Sequence, residues 1–187
     1  MEVLLLGHAA NSLRETIKHS GDSCELTADK LDLDRLRHVD WLVSYGYRHK
    51  VQAPVLAHFG KRAINLHTSY LPWNKGAHPN FWSWLDDTPK GVTLHVMDEG
   101  IDTGPIIAQD RARLSMATTF AATYDSLHEA AVDLFRDTWP IVRDGQFIAI
   151  PQDPTAGSHH FVRDLPQHLL PNGWLTPIPE ALASLWS

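Results

Sequence analysis

The sequence predicts an α/β fold: a single domain with a mostly parallel, mixed sheet and helices on both of its faces. Short apolar runs that end at a glycine, such as EVLLL before Gly7 and DWLVSY before Gly46, are typical of buried strands. Helical patterns lie between these runs, and alternation of strand and helix indicates a parallel sheet covered by helices. The length of 187 residues suits one domain with a sizeable core, and hardly two.

The first half of the chain contains four predicted strands with helices between them. Ser12 and Glu15 match a capping box, so the first helix is expected to begin at Ser12 and to stop near Gly21. Pro54 suits the first turn of a later helix. The predicted strands span residues 2–6, 23–26, 40–45 and 63–66, and further helical segments span 31–37 and 52–59.

The second half continues the alternation and then loses its periodicity. Val92, Leu94 and Val96 alternate with residues of the opposite face, which predicts a strand over 91–97. Thr118 or Thr119 is expected to cap the longest helix. The other predicted features are a helix from Pro79 to about Asp86, strands over 106–109 and 147–150, an end of the longest helix near Pro140, and an extension over 151–187 that packs on a domain formed by 1–150.

Composition and charge argue against several classes of function. The formal net charge of −6 leaves no electrostatic footprint for nucleic acid. No apolar run approaches the length of a membrane span, and Glu2 stands where a signal peptide would carry basic residues, so a cytoplasmic protein is expected. Cys24 is the only cysteine, which excludes an intrachain disulfide. The histidines are scattered without an HExxH motif, and His159 and His160 would point to opposite faces of an extended segment, so no metal site is expected.

The turn after the first strand reads GHAANS and lacks the G-x-G-x-x-G pattern. The second glycine of that pattern lets the backbone approach a phosphate closely, so a dinucleotide cofactor is not expected. The N-terminus of the following helix could still attract an anion, with His8 and Asn11 as candidate substrate contacts.

Three polar residues stand where predicted strands give way to loops. Asn65 and His67 are two apart, so in an extended backbone their side chains lie on one face. Both can donate hydrogen bonds to a developing oxyanion, and a carboxylate beside the histidine favours its protonated form. Asp102 lies in the loop DEGIDTG, whose glycines let the backbone turn sharply towards that histidine. The three together suit attack of an amine on a carbonyl through a tetrahedral intermediate.

The residues alone leave simpler interpretations open. Asn65 could tie a loop through hydrogen bonds to the backbone, and His67 could be a satisfied core histidine. Asp98, Glu99 and Asp102 could be solvated turn residues.

The segments NLHTSYLP and GVTLHVMDEGIDTGPIIAQ resemble the formyltransferase family that uses 10-formyltetrahydrofolate. The resemblance covers roughly residues 1–150, the expected catalytic domain, and implies a Rossmann-like sheet. It places the catalytic asparagine, histidine and aspartate of the family on Asn65, His67 and Asp102. The implied co-substrate is 10-formyltetrahydrofolate, with no metal.

The resemblance also implies binding sites for both substrates. The pterin would lie between the end of the third long strand and the aspartate loop, and the acceptor would lie near the loop after His67. The implied folate contacts are Tyr45, Gly46, Tyr47, Arg48, Val96, Met97, Asp98 and Gly100, and the implied acceptor contacts are Trp73, Asn74 and Lys75.

The sequence predicts the acceptor less definitely than it predicts the reaction and the folate co-substrate. The sequence lacks the glycine-rich phosphate turn of the ribonucleotide enzyme. It also lacks the further domain and the positive charge of the tRNA enzyme. The segment from Leu71 to Gly104 is instead most similar to nucleotide-sugar N-formyltransferases and to formylation domains of peptide synthetases. We therefore expect a small-molecule amine, with a nucleotide-linked amino sugar favoured. An amino acid, free or on a carrier protein, and a catalytically silent folate-binding domain are the alternatives. An oligomer is possible but not predicted.

Overall fold

The fold is known from a computed structural model that describes residues 1–185, apart from the side chain of Arg35. Within residues 1–185 there are eight strands: β1 Glu2–Leu6, β2 Ser23–Thr27, β3 Trp41–Tyr45, β4 Ala63–His67, β5 Lys75–Gly76, β6 Gly91–Val96, β7 Ile106–Arg111 and β8 His159–His160. Six of them form one sheet in the order β2-β1-β3-β4-β6-β7. The first four strands in this order pair in parallel, and β6 pairs antiparallel with both β4 and β7, so the predicted mostly parallel, mixed sheet is confirmed.

Helices cover both faces of this sheet, as predicted. They are α1 Arg14–His19, α2 Ala53–Phe59, α3 Pro79–Leu85, α4 Phe120–Arg143 and α5 Ile178–Ala183. On one face, Val3 and Leu5 pack in a cluster with α4, and on the other Leu4 and Leu6 pack with α2. Successive strand residues point to opposite faces, so a strand buried on both sides is apolar throughout, as EVLLL nearly is.

The predicted start of the first helix is wrong. Residues His8–Leu13 form a 3-10 helix, and α1 begins only at Arg14. Leu13 is the N-cap of α1, and no side chain accepts a hydrogen bond there. The hydroxyl of Ser12 donates to the carbonyl of Ala9 at 2.7 Å, within the 3-10 helix. The segment 31–37 likewise forms only a short 3-10 helix, Leu33–Leu36.

The predicted end of the longest helix is also wrong, because α4 continues through Pro140 to Arg143. A proline inside a helix costs about 3 kcal/mol. Trp139 and Val142 are fully buried on either side of it, and burial of such side chains stabilises by roughly 1.5–3 kcal/mol each. Arg143 then donates two hydrogen bonds of 2.7 Å to the buried carboxylate of Asp22. These contacts explain why the helix does not stop.

The C-terminal segment packs on the domain that contains the six-stranded sheet. Within the described residues its one strand, β8, is two residues long. The expected strand over 147–150 is reduced to a single bridge between Ile150 and Ile106. β8 pairs in parallel with β5. A third apolar cluster joins α3 and the start of α4 to the C-terminal segment through Phe81, Trp84, Phe120, Leu169, Leu170, Ile178 and Ala181. The division of the chain at residue 150 stays a prediction. No helix among residues 1–185 is both long and apolar enough to cross a membrane.

Candidate active site

The sheet brings Asn65, His67 and Asp102 together. Asn65 and His67 lie on β4, and Asp102 lies in the loop between β6 and β7. The side-chain amide of Asn65 donates to Asp102 Oδ1 at 3.2 Å, and His67 Nδ1 lies 3.6 Å from Asp102 Oδ2. The backbone N–H of Gly76 donates to the same Oδ2 at 2.8 Å. Only 12% of the Asp102 side chain is exposed, so this carboxylate is not a solvated turn residue.

The imidazole of His67 is held between two acceptors. Its Nε2 lies 3.0 Å from the backbone carbonyl of Asn74, which can only accept, and its Nδ1 faces Asp102. A neutral ring carries one N–H and would leave one of these acceptors without a donor. Only a ring with a proton on each nitrogen would donate to both.

Asp102 is held in its ionised form. Burial by itself would raise the pKa of this carboxyl, but the positive charge of His67, a hydrogen bond with His95 and the N–H of Gly76 together hold its pKa well below the usual range. Asp102 therefore stays a carboxylate at neutral pH and is a weak acceptor for a proton.

His95 is a member of the site that the sequence reasoning missed. It lies directly across the β4–β6 ladder from Asn65, and its Nε2 lies 3.1 Å from the amide nitrogen of Asn65 and 3.5 Å from Asp102 Oδ1. Its Nδ1 is 2.9 Å from the carbonyl of Val96. The available signal was a histidine in the middle of a strand that is buried throughout, on the face opposite Val92, Leu94 and Val96.

The C-terminal segment makes contacts with the site that no local sequence pattern predicted. The amide of Gln152 donates to the carbonyls of Asp102 and Gly104 at 2.8 Å each. Ser158 bonds to the backbone N–H and to the side-chain oxygen of Asn74, the residue whose carbonyl holds His67. Residues after 150 therefore hold the Asp102 loop and Asn74 in place, although they lie outside the two sequence motifs that contain the central residues.

A cavity of about 730 Å³ opens over these residues. Seven of the expected folate contacts line it, and their role in binding stays a prediction: Tyr45, Gly46, Tyr47, Arg48, Met97, Asp98 and Gly100. Val96 does not line the cavity. Its side chain is buried, and its backbone N–H donates to the carbonyl of Pro105. Asp98 also acts as a turn residue that accepts hydrogen bonds from Gly100 and Thr103.

The expected acceptor contacts lie elsewhere. None of His8, Asn11, Trp73, Asn74 and Lys75 lines the cavity. Asn74 has 0% of its surface exposed, and its side chain is bonded to Thr88 and Ser158. Its backbone is left-handed, with a φ of 57°. A substrate role for these five residues stays a prediction that the cavity geometry does not support.

Residues at the start of α3, of α4 and of the C-terminal segment form another wall of the cavity, for which the sequence predicted no role. This wall is formed chiefly by His78, Tyr124, His159, His160, Phe161 and Trp174. Among residues 1–185, no group of three or more histidine, cysteine or acidic side chains is arranged to hold a metal ion.

Comparison with known proteins decides the family. The family model for formyl transferases matches residues 19–138. The crystal structure of the formyltransferase PseJ from Anoxybacillus kamchatkensis, in complex with UDP-4,6-dideoxy-4-formamido-L-AltNAc and tetrahydrofolate, has a TM-score of 0.91 and 43% sequence identity over 97% of each chain. The chain belongs to the formyl transferase family. The resemblance seen in its motifs is thereby confirmed, and so is the expected enzyme class.

More distant structures share the fold. The N-formyltransferase from Helicobacter canadensis, in complex with folinic acid and dTDP-3-aminofucose, has a TM-score of 0.77 at 18% identity and covers 97% of this chain and 80% of its own. A variant of HypX from Aquifex aeolicus has a TM-score of 0.72 at 18% identity and covers 88% of this chain and 30% of its own. At such identities the likeness concerns the fold alone.

Proposed function

We propose that this formyltransferase moves the formyl group of 10-formyltetrahydrofolate to the amine of a sugar carried on a nucleotide. The observation that carries the proposal is the 43% identity to PseJ over nearly the whole of both chains, because that structure contains tetrahydrofolate and a UDP-linked formamido sugar. The formamido group of that ligand is what formyl transfer to a sugar amine yields.

The cavity is suited to two substrates that meet at the site. Its volume of about 730 Å³ lies in the usual range of ligand pockets, and its walls converge on Asn65, His67 and Asp102. The wall built by residues 44–51 and 97–102 presents backbone groups and the ring of Tyr47, and it would hold the pterin. The wall built by α3, α4 and residues 159–174 would hold the sugar. Bound there, the folate supplies an activated formyl group.

The roles of the three central residues follow from their contacts. Negative charge develops on the formyl oxygen as the amine adds, and His67 offers a positive charge next to Asn65, an amide donor. In the present geometry the amide protons of Asn65 point towards Asp102 and His95, and catalytic donors commonly reach their final geometry only with substrate bound. Asp102 keeps His67 charged and oriented. These assignments are part of the proposal.

Formylation assays with a panel of amines test the acceptor. The protein is incubated with 10-formyltetrahydrofolate and UDP-linked 4-amino sugars, dTDP-linked amino sugars, free amino acids or aminoacyl carrier proteins, while release of tetrahydrofolate and the mass of the product are followed. We expect the fastest turnover with a nucleotide-linked amino sugar. Turnover confined to amino acids or their carriers would overturn the proposed acceptor while leaving the reaction in place.

Variants at the centre test the reaction itself. Asn65→Ala and Asp102→Asn are each expected to lower kcat by about a hundredfold or more, because one oxyanion donor or the charge that holds His67 is lost. Asp110→Asn, on the exposed edge strand, is the matched control and should keep the full rate with the same thermal stability. Near-normal kcat in either site variant would show that these residues do not perform the chemistry.

A further inference from the structure

The wall of the cavity formed by α3, α4 and residues 159–174 presents a large bare ring. Trp174 lines the cavity with 42% of its surface exposed, whereas Phe81 and Phe120, which line the same wall, are each 1% exposed. The face of an exposed tryptophan is suited to stacking on a planar aromatic ligand. Trp174 is therefore the part of this wall whose ring is available to such a ligand.

The ring of Trp174 is supported by two other rings. The ring of His78 packs against it, with 5.2 Å between centroids and 39° between planes, and the ring of Phe81 meets it edge-on at 6.3 Å. Burial lowers the pKa of His78, so this imidazole is neutral at pH 7. Trp174 and His78 together form a flat, uncharged surface, which we call the ring platform.

Both residues of the ring platform are held in place by the fold. His78 has a left-handed backbone, with φ of 54° and ψ of 43°, a conformation that residues other than glycine adopt at a cost and that often occurs at ligand sites. Trp174 lies in the 3-10 helix Gly173–Leu175, and Leu170 and Thr176 on either side of this helix are buried. Little conformational freedom is lost when a ligand stacks on rings that are already ordered.

The ring platform lies near the central residues without touching them. The N–H of Gly76 donates to the carboxylate of Asp102, and His78 follows two residues later, a stretch that spans at most about 7 Å. No hydrogen bond or ring contact joins Trp174 to Asn65, His67 or Asp102 among the described residues. The base of a nucleotide-linked amino sugar must lie in such a place, because a sugar and a diphosphate separate it from the reacting amine.

The charges of this wall do not favour recognition through phosphate alone. Among the described residues that line the cavity, the lysines and arginines are Arg48 and Lys50, and both lie in the loop after β3, on the other wall. The carboxylate of Asp125 is the one acidic group that α3, α4 and residues 159–174 contribute to the lining. Affinity for an acceptor on this wall must therefore come largely from ring and apolar contacts.

We propose that the ring platform binds the aromatic base of the nucleotide that carries the acceptor sugar. The inference rests on the proposed function, because it concerns the carrier of that sugar. Every base has a π-face, so stacking favours a nucleotide carrier over a carrier that has no base. Trp174 is thus a specificity-determining residue and takes no part in the chemistry.

The other exposed rings of the cavity are less suited to a base. The guanidinium of Arg163 already lies over the ring of Phe161, 4.8 Å from its centroid. Tyr124 is 44% exposed, but no aromatic ring packs against it among the described residues. His49 belongs to the other wall, where its ring packs edge-on against that of Tyr47.

The test compares two acceptors: a UDP-linked amino sugar that the panel identifies as a substrate, and its analogue in which hydrogen replaces the uracil. Loss of the base should raise the KM of the wild-type enzyme about fivefold with little change in kcat. Trp174→Ala should raise KM for the UDP-linked sugar by the same factor and leave KM for the base-free analogue within about twofold. Trp174→Phe, which keeps a smaller ring, should raise KM for the UDP-linked sugar only about twofold. The effects of removing the ring and the base should therefore not add, because they remove the same contact.

Binding of UDP alone, measured by calorimetry, gives a readout that does not depend on turnover. Its Kd should rise about fivefold in Trp174→Ala. Asparagine tolerates a left-handed backbone, so His78→Asn should fold normally and raise this Kd about twofold. Leu175→Ala is the matched control, because Leu175 is an exposed neighbour in the same 3-10 helix and does not line the cavity. It should match the wild type in both KM and Kd.

Each other outcome overturns the inference in a distinct way. Equal wild-type KM values for the two acceptors would show that the base is not recognised, while formylation of a sugar amine would stand. A rise in KM that is the same for both acceptors in Trp174→Ala would assign the ring to the sugar or to the wall itself. Loss of the preference for the base in Phe161→Ala or Tyr124→Ala, with normal Trp174 variants, would place the base elsewhere.

Failure of the proposed function has a different signature. Absence of any formylated sugar with the wild-type enzyme would refute that function. The ring platform is then judged by the UDP titration alone, in which equal Kd values for the wild type and Trp174→Ala, or no binding by either, would overturn it.

Discussion

The two walls of the cavity are built in contrasting ways. Asn65 and His67 lie on a central strand of the sheet, and His95 lies opposite on the next. The facing wall includes residues 159–174, and the segment 152–174 that supplies them has only a two-residue strand and short 3-10 helices. Hydrogen bonds of Gln152, Ser158 and His160 nevertheless bind it to the loop of Asp102 and to residues 74–77.

The contrast shows how this fold separates two requirements. Groups that act on the formyl carbon need positions defined to within fractions of an ångström, which strands in a packed sheet provide. Groups that recognise an acceptor need freedom to vary between relatives, which irregular segments provide. The hydrogen bonds between the walls let residues of the second wall act with the precision of the first.

The largest effect is expected where the two walls touch. Gly76→Ala adds a Cβ that would meet the carbonyl of His160 and the ring of His159, at a residue with φ of +87°. β5 and β8 must then separate, and a displacement of about 1 Å at a reacting group can cost roughly a hundredfold in rate. We expect kcat to fall by about that factor, measured by release of tetrahydrofolate.

Gly145→Ala is the control for that change. Gly145 has a similar φ of +69°, but an added Cβ would meet nothing within 4 Å. It should therefore show only the cost of the left-handed backbone, about 1–2 kcal/mol in thermal unfolding, with a normal rate. Equal activities of the two variants would show that the junction of the walls does not matter to the reaction.

An intermediate effect is expected at Gln152, which positions the loop of Asp102 without touching a substrate. Gln152→Leu removes both donors to the carbonyls of Asp102 and Gly104. Loss of these bonds should loosen Asp102, whose backbone has a φ of 56°, and should lower kcat about tenfold with KM unchanged. Gln146→Leu, exposed and distant from the cavity, is the control. A rise in KM with normal kcat would indicate instead that the segment only binds substrate.

The smallest effect is expected at the rim of the second wall. Trp174 is 42% exposed and lines the cavity, with its ring 5.2 Å from that of His78. Trp174→Ala should raise KM for the acceptor about fivefold through loss of ring contact, with little change in kcat. The same substitution at Trp73 tests the contact expected from the sequence. A larger rise in KM at Trp73 than at Trp174 would favour the loop after His67 as the acceptor site.

The sequence was informative wherever a pattern was local. The strand pattern around Asn65 and His67, and the glycines of the loop around Asp102, predicted both the elements and their meeting at one end of the sheet. Prediction failed where distant contacts outweigh local preference. Trp139 and Val142 carry α4 past Pro140 because their burial outweighs the defect, and the 3-10 helix His8–Leu13 places Leu13, not Ser12, at the N-cap of α1.

By itself the sequence determined the alternation of strands and helices, the family and the three central residues, because hydrophobic periodicity and short motifs are properties of neighbours along the chain. Only the tertiary structure decided that Asn74 is buried behind His67, and that Gln152, His159 and Trp174 reach the cavity from the far end of the chain. The pairing of β5 with β8 joins residues more than 80 positions apart, and its partners carry no periodicity that marks them. Such contacts depend on how a packed fold closes on itself, and no single segment of the chain encodes them.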